Sequence, residues 1–128
     1  MRLLLDTCTF LWIVGGDAAL SARVRDAFVD PENDVFLSAA SAWEIAVKYR
    51  LGRLPLPASP EQFVPAQRAA HGIDALAVDE EAALQVAKLP DLHRDPFDRM
   101  LIAQAIVGGL VLATPDDAIR EYPVRTLW

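Results

Sequence analysis

Four acidic residues of this chain fall where sheet proteins tend to do their chemistry. Asp6 follows Leu3-Leu4-Leu5, and Glu44 closes Ser41-Ala42-Trp43-Glu44. Asp98 closes Asp95-Pro96-Phe97-Asp98, and Asp116 lies in Thr114-Pro115-Asp116-Asp117. Carboxylates gathered without a cationic partner repel one another strongly. A hard divalent cation relieves that repulsion, and Mg²⁺ prefers a few carboxylates, several waters and substrate phosphate oxygens. Such an ion acidifies a bound water into a nucleophile and stabilises charge on a phosphate and its leaving oxygen, with a second ion possible. The chemistry implied is metal-dependent phosphodiester hydrolysis. Each acid also has a plain structural explanation. Asp6 can cap the helix after it, Ser41 to Glu44 fits a capping box, and Glu44 can pair with Lys48 one turn on. Asp98 suits the positive end of a helix dipole, and Asp116 and Asp117 are common turn residues.

The elements that must hold these acids are legible as alternating strands and helices. Leu3-Leu4-Leu5 reads as a buried strand, with Thr7 a good N-cap for a short helix through Val14 that Gly15-Gly16 ends. Ser21 caps a second helix through Phe28, and Val35-Phe36-Leu37 is the next strand. A helix from Ser38 to Leu51 stops at Gly52. Pro55, Pro57 and Pro60 mark an irregular connection before helical patterns at residues 61–70. Residues 73–78 look like a strand and 80–88 a helix, followed by a polar loop over 91–95. Pro96 fits the first position of a helix capped by Asp95 and running to Val107. Leu110-Val111-Leu112-Ala113 is a strand, residues 114–117 a turn, and 124–128 a last short strand. The alternation indicates an α/β sandwich with a mainly parallel sheet, and no linker divides residues 1–128 into two domains. In such sheets ligands bind beyond the carboxyl ends of the strands, which is where Asp6 and Asp116 fall.

Composition narrows the classes. The 128 residues are 53% hydrophobic and 23% charged, an ordinary globular balance. The net charge of −6 argues against a general nucleic-acid-binding surface, an objection that weakens if the acids hold a metal, which inverts the local charge. Ten of the twelve basic residues are arginines, suited to bidentate phosphate or carboxylate pairing. The single cysteine, Cys8, forms no intrachain disulfide, so a reducing cytoplasm fits; it is expected to be a small buried residue. Arg2 before an apolar run imitates a signal peptide, but Asp6 interrupts that run and no cleavage site follows. The uncharged segment from Met100 to Pro115 is short for a membrane span and is divided by Gly108-Gly109, so a soluble protein is expected.

Other chemistries fit less well. There is no Gly-x-Ser-x-Gly elbow, and His71 and His93 lack a surrounding motif that would make either a base for Cys8 or, with it, a zinc site. A haloacid-dehalogenase-like phosphatase needs a second aspartate where Cys8 stands, and a receiver domain needs an acidic pair and a lysine that are missing. A non-catalytic partner-binding domain whose acids are only helix caps is the alternative from another class. Trp12 and Trp43 suit interface anchors, although core packing is the expected place for both.

Leu3-Leu4-Leu5-Asp6-Thr7, Ser38 to Ile45, His93-Arg94-Asp95-Pro96-Phe97-Asp98-Arg99 and Thr114-Pro115-Asp116 together resemble the motifs of PIN-domain ribonucleases. More narrowly they resemble the VapC toxins of bacterial type II toxin–antitoxin pairs, in order along nearly the whole chain. The resemblance implies a PIN-like α/β/α sandwich and a cytoplasmic Mg²⁺- or Mn²⁺-dependent endoribonuclease. It also implies an RNA substrate, a cognate antitoxin, a homodimer and no membrane. By the same resemblance Asp6, Glu44, Asp98 and Asp116 are the metal-binding catalytic acids, with Asp95 and Asp117 as rivals to the last two. Thr7 and Thr114 are candidates to orient water or a carboxylate, and Arg99 to fix a carboxylate or touch phosphate. One departure is Cys8, where this subgroup often has histidine after Asp-Thr.

Overall fold

A computed structural model describes all residues 1–128. Five strands, β1 (Arg2–Leu5), β2 (Asp34–Ser38), β3 (Asp74–Leu76), β4 (Val111–Ala113) and β5 (Thr126–Leu127), form one parallel sheet in the order β3-β2-β1-β4-β5. Leu3, Leu4 and Leu5 are entirely buried because β1 is the middle strand, with β2 on one side and β4 on the other. Successive strand side chains point to opposite faces, and the leucines divide accordingly. Leu3 and Leu5 enter one core with Phe10, Val24, Ile45 and Phe63. Leu4 enters the other with Leu101, Ile102, Leu112 and Ile119. Burying each leucine side chain is worth about 1.5–3 kcal/mol.

The helices supply the two outer layers. The first core is covered by α1 (Thr7–Gly15), α2 (Ala22–Val29), α3 (Ala39–Arg50) and α4 (Pro60–Ala70). The second is covered by α6 (Pro96–Gly108) and α7 (Asp117–Arg120), with α5 (Glu80–Val86) packed on α6. The result is the α/β/α sandwich expected from the alternation. Gly109, at φ +64°, turns the chain out of α6, so that Leu110 drops back into the core ahead of β4.

Strands β1, β2 and β3 step outward on one side, and the chain then crosses to place β4 and β5 on the other. The connections therefore diverge between β1 and β4, the switch point at whose carboxyl end parallel sheets open a crevice.

Several local expectations shift. Asp6, not Thr7, is the N-cap of α1. Ser38 caps α3, its hydroxyl accepting from the Ala40 N–H at 3.0 Å, so α3 starts directly at the end of β2. Glu44 then lies in the second turn and cannot be the distal member of a Ser41 capping box. The strand at residues 73–78 shrinks to an exposed three-residue edge, and the turn after β4 contains the short helix α7. Trp43 is 63% exposed rather than in a core, whereas Trp12 packs against the first core and the Trp128 ring. No helix is long and apolar enough to cross a membrane.

Candidate active site

Asp6 sits at the end of β1, 5% exposed. Its backbone N–H donates to the Ala113 carbonyl of β4 at 3.1 Å, and its Oδ1 accepts the Thr9 N–H at 2.9 Å. The Cys8 thiol, half-buried rather than buried, lies 3.3 Å from the same oxygen. Glu44 is 6% exposed on α3. The Thr7 hydroxyl donates to its Oε1 at 2.6 Å and lies 3.0 Å from the Ser41 hydroxyl. Its other oxygen takes the Lys48 ammonium, the pairing expected one helical turn on.

Asp98 occupies the first turn of α6 beside the cap supplied by Asp95, whose Oδ1 accepts the N–H groups of Phe97 and Asp98. Its Oδ2 lies 3.3 Å from Nε2 of His93. Asp116 caps α7 by accepting the Ala118 N–H at 2.9 Å, and its own N–H donates to the Thr114 hydroxyl at 3.1 Å. Of the two rivals, Asp95 caps α6 through one oxygen, and Asp117 is an exposed residue paired with Arg120 at 3.5 Å.

Electrostatics shows which of these groups feel one another. Burial raises the Asp98 carboxyl from 3.8 to about 6; the Asp95 charge adds to this, the His93 hydrogen bond opposes it, and Glu44 and Asp116 push it further up. Burial likewise pushes the Cys8 thiol up to about 12, reinforced by the charges of Asp6 and Asp98. The Lys48 ammonium is raised first by its hydrogen bond to Glu44, with smaller contributions from Asp95 and Asp98. Glu44 and Asp116 thus act on Asp98, and Cys8 feels both Asp6 and Asp98, which puts the four acids in one neighbourhood at the switch point. They form an open rim, since no three Asp, Glu, His or Cys side chains close around a common point as a ligand set.

The donor chemistry nevertheless fits a hard cation. Asp6, Asp98 and Asp116 each engage one oxygen within the chain and keep the other without a protein partner. The only sulfur nearby is a thiol that stays protonated at neutral pH. Oxygen donors of this kind suit Mg²⁺ or Mn²⁺ and not the softer metals. Glu44 stands apart because both its oxygens are already engaged.

Arg99 is directed elsewhere. Its guanidinium donates to the carbonyls of Val86 and Pro90 and to the Tyr122 hydroxyl, strapping α6 to the chain ahead of it and to the Tyr122 segment. His93, which opens the stretch His93 to Arg99 but carries no expected role, touches a site acid. Its Nδ1 lies 2.8 Å from the Tyr122 hydroxyl, which also accepts the His93 N–H at 3.0 Å. The signal available beforehand was its place at the head of the motif that leads into the first turn of α6.

Comparison with known proteins agrees with this architecture. Residues 3–124 match the family model of the PIN domain. A 57-residue stretch, 44% of this chain, is 50% identical to Ribonuclease VapC16 of Mycobacterium tuberculosis and spans 40% of that relative's length. Among solved structures, a chain of VapBC2 from Rickettsia felis, bound to a promoter DNA fragment, superposes with a TM-score of 0.74 at 11% identity, covering 99% of this chain and 98% of that one. A chain of DNA-bound VapBC from Salmonella typhimurium superposes with a TM-score of 0.70 at 18% identity, covering 99% and 97%. With the family model covering both strands of the switch point and all four rim acids, the chain belongs to the PIN domain family.

Proposed function

We propose that this chain is a divalent-metal-dependent endoribonuclease acting as the toxin of a type II toxin–antitoxin pair. The observation that carries the proposal is the partly buried set of carboxylates at the switch point, where Asp98 is driven up to about 6 by burial and by its acidic neighbours. A protein whose acids served only as caps has no need to place Glu44, which caps nothing, 6% exposed against Thr7. A 57-residue stretch that is 50% identical to a VapC ribonuclease supports the substrate class, and the VapBC complexes with the same fold support an antitoxin partner. The reading also carries a cytoplasmic location and a homodimer.

Asp6, Asp98 and Asp116 would hold Mg²⁺ or Mn²⁺ through their unengaged oxygens, with Glu44 joining as Lys48 yields one of its own. When bound, the ion supplies an acidified water and neutralises charge on the phosphodiester. The chain's own residues set the geometry for this. Thr7 holds Glu44 from the start of α1, and Ser41 steadies Thr7. The Thr9 N–H and the β4 carbonyl that receives the Asp6 N–H fix Asp6. His93, itself positioned by Tyr122, fixes one oxygen of Asp98 and leaves the other for the ion. Thr114 holds the backbone of Asp116. A partner peptide that places a basic side chain on this rim would silence the enzyme by displacing the metal, because uncompensated carboxylates attract an arginine as well as Mg²⁺.

The test is cleavage of defined RNAs with and without Mg²⁺, with the cut ends mapped. Internal cuts that require the metal, leave 5′-phosphates and disappear in Asp6→Asn are expected. Persistence of cleavage in that variant, or its absence in the wild type with either metal, would overturn the proposal.

A further inference from the structure

Beside the carboxylate rim runs a groove of about 510 Å³ that the acids do not use. It lies between the start of α3, α5 and the start of α6. Trp43, Val86, Phe97 and Met100 make it mostly apolar, and Arg94 and Arg99 also line it. Trp43 and Phe97 each immediately precede a rim acid, Glu44 and Asp98. The two rings meet edge to face, with centroids 5.0 Å apart and planes at 73°, an arrangement favoured by the ring quadrupoles. Phe97 thus props the indole from one side, while 63% of the Trp43 surface stays open to solvent.

The two arginines differ in availability. Arg99 is engaged with two carbonyls and the Tyr122 hydroxyl. Arg94 is exposed and makes no hydrogen bond or ion pair within the chain. It lines both the aromatic groove and a polar hollow formed with His93 and Arg99. On a chain of net charge −6, this unpaired guanidinium lines the same groove as an open indole that immediately precedes a site acid.

Resting on the nuclease reading above, we propose that Trp43 is a stacking platform for an unpaired base of the RNA substrate, with Arg94 meeting a flanking phosphate. Single-stranded nucleic acid is held by this combination of an aromatic face for the base and a cation along the backbone. Arg94, which has no partner within the chain, lines the same groove as the open indole, so a base stacked on Trp43 leaves its flanking phosphate a cation to meet. The platform would accept any base, because every base has a π-face. It would set how the strand enters the rim without itself taking part in bond cleavage.

The test uses the full chain carrying Asp6→Asn to block cleavage. Binding of a fluorescein-labelled 12-nucleotide single-stranded RNA in Mg²⁺ is followed by anisotropy, alongside an oligomer with abasic sites through its centre. Adding Trp43→Ala is expected to weaken binding of the intact RNA by roughly tenfold or more, the loss typical of one stacked base. Trp43→Phe is expected to retain most of the affinity, and the abasic oligomer to be indifferent to either change. Arg94→Ala is expected to lower the salt dependence by about one phosphate contact. In the cleavage-competent chain, Trp43→Ala should raise KM and leave kcat nearly unchanged. Unchanged RNA affinity in Trp43→Ala, while the wild type still cleaves RNA, overturns the platform and leaves the nuclease reading intact. Unchanged RNA affinity together with loss of self-association or of antitoxin binding overturns it in favour of a protein interface. A wild type that neither binds nor cleaves RNA overturns both.

Discussion

Replacing Asp98 by asparagine should make the protein more stable while removing its activity. Bringing a carboxyl from 3.8 to about 6 corresponds to roughly 3 kcal/mol at about 1.4 kcal/mol per pKa unit. The side chain is 20% exposed, and solvent screening trims this to about 2 kcal/mol. The sign follows from proton binding. Between about pH 4 and 6 the folded state holds a proton that the unfolded state has released, so stability falls as pH rises through that window. Above it the full cost of a buried anion among Asp95, Glu44 and Asp116 is present. Asparagine keeps the shape and can still meet His93, yet carries no charge. In chelator at about pH 7.5, Asp98→Asn is expected to be more stable than the wild type by about 2 kcal/mol, a Tm increase of roughly 6–8 °C for a chain of this size. At about pH 4 the two proteins should melt nearly together. Thermal and urea denaturation at the two pH values measure the difference. A variant that is less stable at the higher pH, or a gap that does not change with pH, would refute the claim that these acids repel one another across a common rim.

Three further outcomes are expected. Thr7→Val removes the hydroxyl that donates to buried Glu44 and should cost about 1–3 kcal/mol in urea denaturation, with Mg²⁺ affinity falling roughly 10- to 100-fold as supporting contacts are lost. Arg99→Met keeps the aliphatic stem but cuts the donations to Val86, Pro90 and Tyr122; faster amide exchange in the 86–95 segment is expected, with stability lower by about 2 kcal/mol. Cys8, with its thiol held near 12, should react with a disulfide reagent at about pH 8 far more slowly than free cysteine does, and comparable rates would count against its burial beside Asp6.

The architecture was legible because its strongest signals are local and redundant. Three consecutive leucines before an aspartate can be buried on both faces only in a central strand, and that is where β1 lies. Asp95-Pro96 marks the start of α6 because proline's missing N–H costs nothing at the first helical position and Asp95 satisfies the next two N–H groups. Less legible were features decided by neighbours distant in sequence. Ser38 and Ser41 are equally good caps by type, and the choice fell to Ser38 because β2 ends there and leaves no room for a loop. The same three-residue difference removes the capping explanation for Glu44. Residues 73–78 have strand-like composition, but an edge position with one neighbour supports only Asp74–Leu76.

The site divides in the same way. Asp6, Glu44, Asp98 and Asp116 are named by sequence, and the fold brings them to one rim. That Asp6 and Asp116 both cap helices and keep a second oxygen free follows only from the geometry of each turn, so the capping and metal-binding explanations are not exclusive. His93 was missed because its contact with Asp98 depends on Tyr122, 29 residues away. Trp43 was expected in a core because its size suggests burial. Its helix instead turns that residue outward toward Phe97, and the reason lies in α6, on a distant part of the chain.

The account rests on negative side chains crowding one rim so that a doubly charged ion makes the crowding tolerable. Titration calorimetry of Mg²⁺ into the wild type and into Asp6→Asn tests this most directly. Saturable binding in the wild type and a loss of affinity in a folded Asp6→Asn, whose asparagine can still cap α1, is the predicted result. No saturable binding in the wild type, or equal affinity in the two proteins, would contradict it.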